Sequence, residues 1–140
     1  MLGNYEHRID QKGRVAIPAK FRKEFQQGAV LTRGVDKCII AYPISEWQKL
    51  SEDYAFSPFS PSKNRRLNRL IFGSAFDVDL DKQGRVALPS PLRQHAQIKD
   101  VAVVVGGNSY LEIWGKDIWE NENFLIDEQA WQLAEGMEER

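Results

Sequence analysis

Apolar and polar positions in this chain fall into short alternating runs broken by turn residues, with few stripes long enough for an extended helix. Residues 5–9 read as a strand, and residues 10–13 start with Asp and end with Gly, the chemistry of a type I turn with a bulge. Residues 14–17 then return as a second strand, a hairpin with Arg14 beside its tip. Pro18 ends that strand, and residues 19–25 predict a short helix with Phe21 and Phe25 on one face. Residues 29–33 and 38–42 alternate as another hairpin. Ser45-Glu46-Trp47-Gln48 has the capping-box pattern of a helix start, which would carry Trp47 and Leu50 inward. A proline- and serine-rich connector over residues 51–63 follows. Next comes a linker helix, residues 62–73, with Leu67, Leu70 and Ile71 at helical spacing, Arg65, Arg66 and Arg69 on another face, and Gly73 as its stop.

The order then repeats. Residues 75–80, 81–84 and 85–88 predict strand, turn and strand. Ser90 and Pro91 suit the N-cap and first turn of a helix through Ala96, and residues 101–105 and 110–114 flank a Gly-rich turn as a hairpin. Two tail helices, residues 116–124 and 128–136, are expected, the second opened by Asp127. Asp10-Gln-Lys-Gly-Arg14-Val-Ala-Ile-Pro18 returns 71 residues later as Asp81-Lys-Gln-Gly-Arg85-Val-Ala-Leu-Pro89, and Tyr42 to Trp47 matches Trp114 to Trp119 at an offset of 72. Copies this small bury little apolar surface alone, so the reading is one domain, residues 1–140, built of repeats 5–50 and 76–120, with C-terminal helices over 116–137.

Composition fits a folded chain, with 42% hydrophobic and 28% charged residues. No apolar run is long enough to cross a bilayer and the polar N-terminus lacks a signal-peptide stretch, which makes the cytoplasm the expected compartment. The single cysteine, Cys38, beside Ile39 and Ile40, reads as core. The net charge of −1 conceals a split: residues 1–73 hold 13 Lys and Arg against 7 Asp and Glu (+6), and residues 74–140 hold 6 against 13 (−7). That favours a polyanionic partner for the first half, or a contact between the basic half of one copy and the acidic half of the next. Unselected drift of surface charge is the plain alternative.

The Asp-x-x-Gly-Arg-Val-x-Ile/Leu-Pro box followed by a short Arg-bearing helix resembles the swapped-hairpin fold of AbrB-like regulators. Its duplication in one chain, with Leu31-Thr-Arg-Gly34, Tyr42-Pro43, Trp47 and Glu112-Ile-Trp114, resembles the MraZ family. The resemblance implies a mainly β fold with short helices, a pseudo-two-fold swapped-hairpin (double-split) β-barrel of two AbrB-like repeats. It also implies a nucleoid-associated transcriptional regulator that binds short direct repeats upstream of the bacterial division and cell-wall gene cluster, as a ring-shaped homo-oligomer. The other class open to the same scaffold is an antitoxin-like or structural protein-interaction module. Against it, the short tail holds Phe124, Leu125, Ile126, Trp131 and Leu133, which reads as a packed helix rather than a disordered partner-binding segment.

The box chemistry supports a double-stranded DNA partner. Arg8, Lys12 and Arg14, with His7 nearby, can track phosphates, and the Arg14 guanidinium can donate twice to guanine O6 and N7. Asp10 and Asp81, with Gly13 and Gly84, would orient the turns. An ion pair between Asp10 and Arg14, with no DNA role, is the other reading of the same residues. In the second box only Lys82 and Arg85 remain as cations, beside Asp77, Asp79 and Asp81, so the first box is expected to dominate contact; Lys23 is a further phosphate candidate. Arg22 and Arg93 are expected to pack, and Arg65, Arg66 and Arg69 to pair with acidic groups. Catalysis, cofactors, small-molecule substrates and metals find no support. His7, His95 and Cys38 lack metal spacing, and Asp77-x-Asp79-x-Asp81 puts Gly84 at loop position eight and Leu88 where a calcium loop needs its Glu.

Overall fold

A computed structural model describes residues 1–138. Eight strands and four α-helices follow in the order β1 (Asn4–Arg8), β2 (Arg14–Ala16), a 3-10 helix (Ala19–Phe25), β3 (Ala29–Arg33), β4 (Ile39–Pro43), α1 (Ile44–Asp53), α2 (Ser62–Ile71), β5 (Phe76–Val78), β6 (Arg85–Ala87), α3 (Ser90–His95), β7 (Val101–Gly106), β8 (Leu111–Gly115) and α4 (Lys116–Glu138). The class is mainly β with short helices, but the sheet does not close into a barrel. It is an open six-stranded sheet, β1-β7-β8-β4-β3-β5, accompanied by a two-stranded ribbon of β2 and β6.

The strands on either side of each box turn do not pair with one another as expected. β1 runs against β7, placing Tyr5 opposite Val104, and β2 runs against β6, placing Val15 opposite Val86. In the second half β5 runs against β3 instead of β6. Each arm therefore crosses to the other half, because its apolar residues are buried only there: Val15, Ile17 and Val86 have no exposed surface. One hydrophobic cluster draws on both halves, including Phe21, Phe25, Leu31 and Ile39 from the first and Leu92, Ala96, Val104 and Ile113 from the second. The hairpins β3–β4 and β7–β8 form as the alternation predicted, and β4 pairs with β8 to join them.

Helix boundaries differ at the caps. Pro43 occupies the N-cap position of α1 and makes no side-chain cap bond, so Ser45 lies inside the helix and the capping box is not formed. α3 likewise follows Pro89 and not Ser90. Pro is suited to such entries because its fixed φ leads into a helix whose first N–H groups need no intrahelical acceptor. Trp47 packs on Tyr42 and Phe72, with ring centroids 5.6 and 5.2 Å away. Thr32 Oγ1 donates to the Ile71 carbonyl at 2.6 Å, pinning α2 to the sheet.

The tail is one helix of 23 residues instead of two. No Pro interrupts it and its only Gly is Gly136, so Asp127 alone gives no reason to break an i to i−4 ladder. Its apolar residues beyond Trp119 do not pack as expected: Phe124, Leu125, Ile126 and Leu133 are exposed, and Trp131 is 83% exposed.

Candidate functional site

Antiparallel pairing of β2 with β6 sets the two box turns side by side. Its register puts Arg14 opposite Ala87 and Arg85 opposite Ala16, and each turn closes through the same bonds. Gly13 N–H donates to the Asp10 carbonyl at 3.0 Å, Gly84 N–H to the Asp81 carbonyl at 2.9 Å, and both glycines have left-handed φ, 74° and 76°. The carboxylates then bind the turns from inside. Asp10 Oδ1 accepts the N–H groups of Lys12 and Arg14, each at 2.9 Å, and Asp81 Oδ1 accepts those of Gln83 and Arg85, each at 2.9 Å.

The second carboxylate oxygens hold a four-charge cluster across the pseudo-two-fold axis. Arg14 Nε donates to Asp10 Oδ2 at 2.7 Å and Arg85 Nε to Asp81 Oδ2 at 2.9 Å. Each arginine also crosses to the other turn: Arg14 Nη1 lies 3.5 Å from Asp81 and Arg85 Nη1 lies 3.4 Å from Asp10. Both arginine side chains are 27% exposed, so the cluster is at the surface and its charges balance. Nη2 of each arginine makes no hydrogen bond or ion pair among the described residues. The guanidinium is thus braced by its Nε edge while its far end is left free, an arrangement that lowers the entropy lost when a ligand engages it.

The glycines are required by more than φ. A Cβ at Gly84 would collide with the Arg22 guanidinium group, and one at Gly13 would lie 3.1 Å from Arg93 Nη1. Arg22 Nε donates to the Ile17 carbonyl at 3.0 Å and Arg93 Nε to the Ile98 carbonyl at 3.1 Å, so each arginine packs over the other half's turn. Ile17 N–H donates to the Gly84 carbonyl and Leu88 N–H to the Gly13 carbonyl, which locks the two boxes through the backbone as well. Gly84→Ala should destabilise by about 1–2 kcal/mol from the left-handed φ alone, with more from displacing Arg22; urea unfolding of the variant measures it.

Arg8, Lys12, Lys23 and Lys82 are exposed. His7 does not join them as a cation, because burial and then the Arg22 charge lower its pKa, and its Nε2 is enclosed without a partner among the described residues. His95 Nε2 donates to the Asp36 carbonyl at 3.0 Å and ties α3 to the β3–β4 loop. Cys38 is buried, and burial pushes its thiol far above the usual range. Among the described residues no group of three metal-ligating side chains converges, and no helix is long and apolar enough to cross a membrane.

Asp10 and Asp81 both sit below the ordinary aspartate range, first because the N–H of Arg14 or Arg85 bonds to the charged carboxylate, with the guanidinium adding to this. A depressed folded pKa stabilises the fold fully above the ordinary aspartate value, and that contribution fades as pH falls, vanishing below the native values. Asp81→Asn should therefore melt below wild type at neutral pH and converge with it in strong acid; paired thermal melts test this.

The cross-link from Arg14 to Asp81 and the packing of Arg22 over Gly84 are not apparent in either box alone. Their signal was the match of Arg14 with Arg85 and of Arg22 with Arg93 in the two repeats.

A family model described as "MraZ protein, putative antitoxin-like" matches residues 1–70 and again 71–132. Among curated relatives, a protein of Dehalococcoides mccartyi is 47% identical over 139 residues, covering 99% of this chain and 98% of its own. One of Herpetosiphon aurantiacus is 46% identical over 134 residues (96% and 94%), and one of Roseiflexus sp. is 41% identical over 138 residues (99% and 96%). All three carry the name Transcriptional regulator MraZ. Matched in both halves and along nearly its whole length, the chain belongs to the MraZ family.

Proposed function

We propose that this chain, a transcriptional regulator and not an enzyme, binds double-stranded DNA through its paired box turns. Arg14 and Arg85 offer their free Nη2 ends to base edges in the major groove, while Lys12, Arg8, Lys82 and Lys23 contact phosphates. The observation that carries this reading is the pair of braced guanidinium groups at adjacent turns. The cluster's own charges cancel, so attraction for phosphate falls to the surrounding lysines and Arg8. The first turn contributes more of it, since Asp77 and Asp79 stand beside the second. Asp10, Asp81, Gly13 and Gly84 hold the turns in shape.

The family likeness supports short direct repeats upstream of the division and cell-wall gene cluster as the target, and a ring-shaped homo-oligomer associated with the nucleoid as the binding form. One pair of turns makes few phosphate contacts, and several on one ring would raise effective concentration at consecutive repeats. Fluorescence anisotropy on the protein's own upstream DNA, against a scrambled duplex of equal length, tests the reading. Equal affinity for both at physiological salt would refute it. A second reading, an antitoxin-like protein-interaction module, is favoured by the family model's description and by the exposed apolar part of α4.

A further inference from the structure

The connector between the halves and the helix after it bring together aromatic and cationic side chains that the box turns do not use. Arg65, Arg66 and Arg69 lie on one side of α2, at spacings of three and four, and do not pair with acidic groups as expected. None has a carboxylate within ion-pair distance among the described residues, and α2 itself holds no acidic residue. Against that side, Phe56, Ser57 and Pro58 of the connector join Arg65, Asn68 and Arg69 of the helix around a cleft of about 240 Å³. Arg65 Nη1 donates to the Ser60 carbonyl at 2.7 Å, which fixes one guanidinium nitrogen and leaves the others for a ligand. Phe59 is 95% exposed, yet it stands on an ordered turn. Ser57 N–H donates to Ser60 Oγ and Phe59 N–H to Ser57 Oγ, each at 3.0 Å, with Pro58 and Pro61 restricting the backbone on either side. A large ring held in water by a fixed turn marks a contact group that loses little entropy when a partner covers it.

Charge calls for an anion here, and the rings call for something flat. Guanidinium groups without carboxylate partners suit phosphate, whose oxygens take their forked donors two at a time. Duplex phosphates would satisfy the arginines but leave Phe56 and Phe59 idle, because paired bases stay stacked inside the helix; an acidic protein surface offers the rings no planar partner either. We propose that this cleft and its rim bind single-stranded nucleic acid, with bases against Phe56 in the cleft and Phe59 at the rim, and with phosphates on Arg65, Arg66 and Arg69. Asn68 supplies an amide for a base edge. The surface is separate from the paired box turns: the Thr32 bond to Ile71 holds α2 to β3, and no α2 residue takes part in the bonds that shape the turns. Stacking and phosphate contact are both indifferent to base identity, so the site accepts strands of any sequence. A transcriptional regulator meets such strands where the duplex is opened or where the transcript emerges.

The test is fluorescence anisotropy of the full chain with labelled oligothymidine of about twelve nucleotides, within the range such surfaces cover, and with oligouridine of equal length. Wild type should bind both, with log affinity falling against log salt at a slope of about −2 for three phosphates. Phe59→Ala should weaken oligothymidine binding about fivefold or more, and Phe59→Trp should retain it. Phe56→Leu, which keeps an apolar side chain in the cleft wall, should weaken it similarly, and Arg66→Gln with Arg69→Gln should flatten the slope by about 1.4. All these variants should bind the upstream duplex as wild type does, and Arg14→Ala should bind oligothymidine as wild type does. Failure of wild type to bind either strand at low salt, unchanged affinity in both phenylalanine variants, or loss of oligothymidine binding in Arg14→Ala would overturn the proposal. So would two outcomes that give α2 another partner: equal losses on duplex and single strand in Phe59→Ala, or a lower solution mass for the double arginine variant with no change in strand binding. If wild type binds oligothymidine but shows no preference for the upstream duplex, the box-turn reading fails and this one stands.

Discussion

Truncating Phe25 to alanine is expected to lower stability by about 3–5 kcal/mol and to unfold both halves in one transition. Phe25 is 1% exposed at the end of the 3-10 helix, inside a cluster whose members come from both repeats. The loss combines the transfer free energy of the ring with the cavity left behind, since neighbours held by crossed strands have little freedom to collapse. β1 is held by β7, β2 by β6 and β5 by β3, so neither half keeps its sheet partners when the other melts. Urea unfolding followed by circular dichroism and by tryptophan fluorescence should give coincident curves shifted together. Separate transitions for the two probes would mean that the halves are stable apart.

The second large effect concerns DNA. Arg14→Ala should cost about 1–3 kcal/mol of binding to the target duplex and relax specificity at the base it reads. It removes a free guanidinium end and leaves Asp10 and Asp81 with Arg85 as their remaining arginine partner, which turns a neutral cluster negative next to phosphate. Lys12→Ala should behave differently, weakening all sequences about equally and lowering the salt slope by about one. Arg14 and Arg85 share both carboxylates, so their substitutions should not be additive. Salt-titrated anisotropy of the single and double variants measures all three effects.

What was legible along the chain follows the range of each interaction. The β3–β4 and β7–β8 hairpins could be read because each strand meets its neighbour across a short turn, with alternation to fix the register. The partners of β2, β5 and β6 could not, since strands of three residues carry no register signal and their mates lie in the other half. Only the family likeness pointed to the exchange, and it also suggested a closed barrel where the sheet is open. The brace between Asp10 and Arg14 is local, four residues apart, and was open to reading as an ion pair; the cross-link to Asp81 exists only once β2 lies against β6. At the tail, Asp127 resembled a cap, yet a helix start needs a break before it and nothing in residues 116–126 supplies one.

The most direct test of a braced guanidinium reading a base is binding to upstream DNA in which guanine is replaced by 7-deazaguanine, which removes the N7 acceptor and keeps base pairing intact. Wild type should lose about tenfold or more in affinity, while Arg14→Ala, already weak, should lose little further. Equal wild-type affinity for the two duplexes would contradict the account.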